Sequence, residues 1–79
     1  SRYAIQCKNY SNKLDNTPVQ EAFAGKQFYG CDIGVVITNS TFTESACELA
    51  DSIGILLWDR QILQEMILST QKEKRRRTS

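Results

Sequence analysis

Residues 33–38 read Ile-Gly-Val-Val-Ile-Thr, with the uninterrupted apolar run Val35-Val36-Ile37 at their centre. A run without alternation is typical of a strand that is covered on both faces, as in a parallel sheet. The polar stretch Thr38-Asn39-Ser40-Thr41 follows the run and predicts that the strand ends there. We therefore take residues 33–38 as a buried strand and place the other elements around it.

Upstream of this strand, the chain carries a second strand and a helix. Tyr3–Lys8 has apolar side chains at its odd positions, and we expect it to lie inside the sheet. A polar loop follows. Thr17 is a suitable N-cap, Pro18 fits the first helical position and Gln20 completes a capping box, so a helix is predicted to start there. Gly30 is its predicted C-terminal stop.

Downstream of the central strand, a helix, a strand and a further helix are predicted. The first helix begins near Thr41 or Thr43 and ends at Gly54. Its apolar residues recur at i, i+3, i+4 and i+7 and are Ala46, Leu49, Ala50 and Ile53. Ile55–Trp58 is a third strand, and Asp59 is a good N-cap for a third helix.

The predicted order is β-α-β-α-β-α with short connections, which is an α/β fold with a mostly parallel sheet flanked by helices. We place one domain at residues 1–70 and a basic, disordered tail at residues 71–79. Most of the aromatic residues are expected in the core, namely Tyr3, Phe23, Phe28, Tyr29, Phe42 and Trp58.

Composition excludes several classes of chemistry. The 79 residues contain no His, which removes Ser-His and Cys-His nucleophile pairs from this chain. Cys7, Cys31 and Cys47 are odd in number and widely spaced, so neither a structural zinc site nor a disulfide framework is expected. We expect reduced thiols in a cytoplasmic protein. No stretch approaches the about 20 apolar residues of a membrane span, and no membrane partner is expected.

The strand Tyr3–Lys8 also carries the candidate chemistry. Gln6 and Lys8 share one face at the end of the strand, roughly 7 Å apart. Gln6 offers an amide oxygen to a hard cation such as Mg²⁺, the backbone carbonyl of Cys7 is a further candidate metal ligand, and Lys8 would lie beside an attacking water. The alternative is an edge strand with a solvated face.

Five segments in this order resemble the Mrr-type restriction endonuclease domain of the PD-(D/E)xK nuclease superfamily. The resemblance covers Tyr3 to about Leu68. The segments are Ile5-Gln6-Cys7-Lys8-Asn9-Tyr10, Val19-Gln20-Glu21-Ala22, Gly34-Val35-Val36-Ile37-Thr38-Asn39-Ser40, Phe42-Thr43 with Ala46 and Leu49-Ala50, and Leu57-Trp58-Asp59-Arg60 with Leu63.

The resemblance implies a type II/IV restriction-like deoxyribonuclease that uses Mg²⁺ or Mn²⁺ to hydrolyse DNA phosphodiester bonds. It implies that Gln6 and Lys8 are motif residues and that Gln20 faces the site, whereas the capping box is the competing role for Gln20. Candidate DNA contacts are Asn9, Tyr10, Thr38, Asn39 and Ser40. The alternative role of the polar residues after the central strand is in turns and helix caps. The alternative for the basic tail is a solvated segment without a binding role.

The chain also departs from the family pattern. The family's metal-binding Asp lies on a hairpin upstream of the Gln-x-Lys strand, and only Ser1 and Arg2 precede that strand here. We therefore expect a restriction-endonuclease-like core that is truncated at its N-terminus and inactive as this fragment. The alternative is a non-catalytic, degenerate nuclease-fold module for DNA binding or assembly. Expected partners are DNA and either further copies of the chain, through an exposed strand edge, or the remainder of a larger protein with a separate DNA-recognition domain.

Overall fold

The described part of the chain forms three strands and three helices in strict alternation, as predicted. The computed structural model describes residues 1–9 and 11–78, except for the side chains of 71–78. The elements are β1 (Tyr3–Lys8), α1 (Asn16–Phe28), β2 (Ile33–Thr38), α2 (Glu44–Ile53), β3 (Ile55–Trp58) and α3 (Arg60–Thr78). The bounds of α3 extend into the segment for which the sequence predicts disorder. The side chains from residue 71 onward lie outside the described part, and the disordered tail stays a prediction.

The strands form one parallel sheet in the order β1-β2-β3. Tyr3 pairs with Ile33 and Lys8 with Thr38, and Gly34 pairs with Ile55 at the start of β3. The parallel α/β prediction is therefore confirmed. The expectation that β1 lies inside the sheet is wrong, because β2 is its only strand neighbour among the described residues.

The core lies on one face of the sheet, beneath α1 and α2. Both helices contribute small or β-branched residues to it, so that they can approach the strands closely. Its buried members are Leu14, Val19, Ala22, Val36, Ala46, Ala50 and Ile55. Gln6 and Lys8 pair with Val36 and Thr38 in the parallel register, so these two polar residues face the same side as the core.

The opposite face of the sheet is also apolar, but it is covered only in part. Its residues pair across the strands and are Tyr3, Ile5, Cys7, Ile33, Val35, Ile37, Leu56 and Trp58. Leu63 of α3 lies beside Ile37 and Cys7 at one end of this face, whereas Tyr3 and Ile5 are 54% and 56% exposed. The two-sided coverage predicted for residues 33–38 is observed at Val35 and Val36, which are 1% and 0% exposed on opposite faces, whereas β1 is open on this face.

Three of the six aromatic residues predicted for the core are exposed. Tyr3 lies on the uncovered face of β1, and Phe28 and Tyr29 lie at the end of α1, where their rings contact each other edge to face at 4.9 Å. Phe23 and Phe42 do pack against the core. Apolar character alone did not separate the two groups, because it does not tell whether another layer covers the residue.

The helix caps agree with the sequence at α2 and α3 but not at α1. Thr43 accepts a hydrogen bond from the Ala46 N–H, and Asp59 accepts one from the Ile62 N–H. Helix α1 starts one residue after Asp15, whose side chain accepts from the Thr17 N–H. The predicted Thr17 capping box is therefore wrong. Pro18 is tolerated at its actual position, because the first amides of a helix have no intrahelical acceptor.

Gly34 in β2 faces α1, and the helix lies at ordinary contact distance from this position. A Cβ atom at this position would lie 3.5 Å from the Ala22 carbonyl oxygen and 3.6 Å from the Lys26 Cβ, both on α1. Since α1 starts at the carboxyl-terminal edge of β1 and ends where β2 begins, its first turns lie next to the end of β1. This packing determines which α1 side chains reach Gln6 and Lys8.

Candidate active site at the end of β1

Gln6 and Lys8 lie on the helix-covered face of β1, and both are half-buried. The odd residues of the strand are exposed and the even residues are partly covered, which is the reverse of what their polarity suggests. Lys8 is the last residue of β1 and therefore lies at the carboxyl-terminal edge of the sheet. Ligands of open parallel sheets bind at this edge.

Lys8 makes an ion pair with Glu21 of α1. The Lys8 Nζ atom lies 3.2 Å from the Glu21 Oε2 atom, and the two side chains are 24% and 43% exposed. A pair with this exposure contributes about 0–1 kcal/mol to stability, so it does little to hold the fold together. Its main consequence is local, because it fixes the ammonium group at the open end of the strand.

Of the two adjacent polar residues on α1, the structure brings Glu21 and not the predicted Gln20 to Lys8. Gln20 is exposed in the second turn of the helix. Val19 and Ala22 are both buried, and these i, i+3 positions fix the rotation of α1 about its axis. Gln20 and Glu21 flank this buried stripe on its two sides, and the contact with Lys8 shows that the Glu21 side borders β1. The sequence predicted the buried stripe of α1 but not which side of it faces β1, so Glu21 was missed.

The residues at this site fit a hard cation only in part. The Gln6 amide and the Cys7 backbone carbonyl are oxygen donors of the kind that Mg²⁺ accepts. The Cys7 thiol cannot join them from the same side, since odd and even residues of β1 lie on opposite faces. In the described part of the chain, no three His, Cys, Asp or Glu residues come together in a way that would hold a metal ion.

The polar stretch after β2 is largely occupied with structural hydrogen bonds. Thr38 is 1% exposed, and its hydroxyl accepts from the Ser40 N–H at 3.1 Å. The Ser40 hydroxyl donates to the Asn12 carbonyl at 2.8 Å. Asn39 is exposed and lies beside Asn9 and Lys8. Tyr10 lies outside the described residues. DNA contact by these residues stays a prediction, and Thr38 does not reach the surface.

Two cavities open at this edge of the sheet and meet at Asn39. One is lined largely by apolar atoms and lies between the end of β1 and Leu63 of α3. The other, which we call the basic cavity, has a volume of about 360 Å³. The residues that line the basic cavity are Ser11, Lys13, Asn39, Ser40, Thr41 and Arg60. Ser11, Lys13 and Arg60 were not among the predicted site residues.

Comparison with known families agrees with this arrangement. The sequence model of the Mrr-type restriction endonuclease family matches residues 1–67, which is most of the chain. The chain belongs to this family. It therefore contains a nuclease domain with a restriction-endonuclease-like α/β fold, and DNA is the substrate class of such domains. Neither the curated proteins nor the solved structures include a significant match.

Membership of the Mrr-type family confirms the resemblance drawn from the five segments. The match includes the Gln6 and Lys8 strand, helix α1 and the loop after β2. Within the described residues, no helix is both long enough and apolar enough to cross a bilayer.

Proposed function

We propose that this chain is part of a Mg²⁺-dependent endonuclease domain that hydrolyses DNA phosphodiester bonds in a cytoplasmic, type II/IV restriction-like protein. The observation that carries the proposal is the position of Gln6 and Lys8. They share one face of β1 at the ligand-binding edge of the sheet, inside the region that matches the nuclease family. The contact between Lys8 and Glu21 supports a fixed position for the ammonium group.

The proposed roles follow from the chemistry of each group. The Lys8 ammonium is a fixed positive charge and would stabilise negative charge that develops on the phosphoryl oxygens. The Gln6 amide oxygen and the Cys7 carbonyl oxygen would hold the divalent cation, for which Mn²⁺ is a substitute. When bound, the cation would supply Lewis-acid polarisation and a more acidic water. Gln20 stays a candidate for contact with substrate at the solvent side of α1.

Cleavage requires a carboxylate ligand that the described residues do not place beside Gln6. Mg²⁺ is commonly bound through one or two carboxylates together with substrate phosphates. Glu21 is already paired with Lys8. We therefore propose that another segment supplies the carboxylate and that this chain alone cleaves DNA poorly or not at all.

The test is Lys8→Ala in the complete protein that carries this chain. We expect the rate constant for Mg²⁺-dependent DNA cleavage to fall by about 10²-fold or more, with DNA binding measured in Ca²⁺ largely retained. Lys26→Ala is the matched control, because it removes the same side chain from the last turn of α1, at the opposite edge of the sheet. Full cleavage by Lys8→Ala would show that Lys8 has no catalytic role.

A second candidate function is a non-catalytic module for DNA binding or assembly. The absence of a carboxylate cluster in the described residues favours it, and so does the exposed apolar side of β1, which could bury itself against another chain. This second function predicts salt-dependent DNA binding without cleavage in any divalent metal. Metal-dependent nicking of DNA by the complete protein would rule it out.

A further inference from the structure

We propose that the basic cavity binds a phosphodiester group of the DNA backbone, with Lys13 and Arg60 as its two cationic ligands. This inference rests on the proposed function, because the nuclease assignment makes DNA the ligand. It adds a second contact site for DNA, apart from Gln6 and Lys8. The two sites adjoin at Asn39, which lines both cavities.

The composition of the cavity selects an anion. Of the six described residues that line it, two carry a positive charge, none carries a negative charge, and the others are three hydroxyl residues and one amide. Two cations in one small cavity repel each other, and an anion between them removes that cost. Phosphate oxygens are the usual acceptors for Arg, Lys, Thr and Asn side chains in DNA complexes. The volume of about 360 Å³ is within the roughly 300–1,000 Å³ of ligand pockets.

The carboxylates that lie closest in sequence to Lys13 and Arg60 are committed elsewhere. Asp15, two residues after Lys13, accepts a hydrogen bond from the Thr17 N–H at 3.0 Å. Asp59, next to Arg60, accepts one from the Ile62 N–H at 3.0 Å. Neither residue lines the cavity. Both carboxylates stabilise helix N-termini, and their charges are partly offset there by the helix dipoles.

The backbone holds both cationic residues in place before any ligand arrives. Ser40 connects the segment before Lys13 to the start of α3. Its hydroxyl donates to the Asn12 carbonyl at 2.8 Å, and its carbonyl accepts from the Arg60 N–H at 3.0 Å. The Leu14 N–H donates to the Thr41 carbonyl at 2.8 Å, so the residues on both sides of Lys13 are bonded to the loop after β2. Such preorganisation lowers the entropy lost on binding.

These hydrogen bonds also show which donors remain available for a phosphate. The Ser40 proton is used by Asn12 and the Arg60 N–H by Ser40, so neither is offered to a phosphate. The lining residues whose side-chain donors remain for a phosphate are Ser11, Lys13, Asn39, Thr41 and Arg60. The Arg guanidinium is planar and presents several donors in a fixed geometry, whereas the Lys ammonium is a point charge on a flexible chain. Together they are suited to binding one phosphate group.

The experiment compares two double variants of this chain with equal loss of charge. Lys13→Gln with Arg60→Gln empties the cavity of cations. Arg2→Gln with Lys26→Gln removes the same two charges at the opposite edge of the sheet, where the Arg2 backbone bonds to Asp32 and Ile33. Affinity for a fluorescein-labelled duplex is measured by anisotropy from 50 to 200 mM NaCl, without divalent metal. Circular dichroism checks that each variant is folded.

We expect the cavity variant to lose at least 10-fold in affinity at 50 mM NaCl. The slope of log affinity against log salt should fall by about 1 for each cation that contacts a phosphate. The DNA affinity of the control variant should change less than threefold, because the two charges that it loses act on DNA only at long range, where salt screens them. Equal losses in both variants would overturn the proposal in favour of general electrostatic attraction, and so would unchanged affinity in the cavity variant or no DNA binding by the parent chain.

A second readout uses inorganic phosphate alone. The amide resonances of Lys13, Asn39, Thr41 and Arg60 should shift with phosphate in the parent chain and not in the cavity variant. Phosphate shifts without any loss of DNA affinity would indicate a free-anion site only and would also overturn the proposal. Failure of the proposed function is separate: Lys8→Ala would then retain cleavage, whereas the cavity variant would still lose DNA affinity.

Discussion

Gly34 faces the buried side chain of Ile55 on the neighbouring strand, and we expect Gly34→Ala to be destabilising. A Cβ atom at position 34 would lie 2.6 Å from the Ile55 Cδ1 atom. Carbon atoms in contact are normally about 3.5–4.0 Å apart, so the overlap is about 1 Å. Ile55 is only 4% exposed, and we expect its Cδ1 methyl group, the far end of a flexible side chain, to move aside at the expense of its buried contacts. Overpacking of this kind costs about 1–3 kcal/mol.

Other effects of the same substitution oppose this cost. Replacing Gly in a strand with Ala removes conformational freedom from the unfolded chain, which stabilises by about 0.4–1 kcal/mol. We therefore expect a net decrease of about 1–2 kcal/mol in the free energy of unfolding. Gly25→Ala is the matched control, because Gly25 lies inside α1, where an added Cβ atom would meet nothing within 4 Å. It should stabilise by about 0.5–1 kcal/mol.

A double-mutant cycle with Ile55→Val isolates the overlap. Ile55→Val deletes Cδ1 and alone should cost about 0.5–1.5 kcal/mol. In the Gly34→Ala background the deletion also removes the clash, so the double variant should be about 1 kcal/mol more stable than the sum of the single effects predicts. The measurement is urea unfolding followed by circular dichroism and by the fluorescence of Trp58. Additivity within about 0.3–0.5 kcal/mol would refute the reasoning.

Other predictions concern a turn, a cap, the ion pair and the open face. Gly54→Ala should destabilise by about 1 kcal/mol in urea unfolding, since Gly54 has a φ of 72°, and Thr43→Ala should cost about 1 kcal/mol through the lost α2 cap. Glu21→Gln should change the unfolding free energy by less than about 1 kcal/mol yet lower the DNA cleavage rate of the complete protein, though less than Lys8→Ala; an unchanged rate would exclude a positioning role. If the chain self-associates through β1, Ile5→Lys should reduce its mass in multi-angle light scattering to that of a monomer, and an unchanged oligomer would exclude this face.

The alternation of elements was predictable because each boundary carries local chemistry. Gly54 and the caps Thr43 and Asp59 act through hydrogen bonds and backbone angles within a few residues of themselves. The start of α1 was not predictable in the same way, because Asp15 and Thr17 are both competent caps. Only the packing of the helix chooses between them.

Only the part of the candidate site that lies on a single strand was predictable from the sequence. Gln6 and Lys8 share a strand, so the period of two placed them together. Glu21 required knowing which side of the buried Val19 and Ala22 stripe of α1 faces β1, and the helical period alone does not give this. Nothing in the spacing connects Lys13 to Arg60. They come together because both flank the loop that follows β2.

The strand order has a consequence for how the site assembles during folding. Each strand pairs with the next one in the chain, so the sheet grows by successive closures of helix-containing loops. The ion pair between Lys8 and Glu21 belongs to the first such unit, whereas the basic cavity needs Arg60 from the last. We therefore expect the cavity to form only in the completed fold. DNA that binds there selects the native chain over partly folded forms and raises its thermal midpoint in proportion to the logarithm of the DNA concentration.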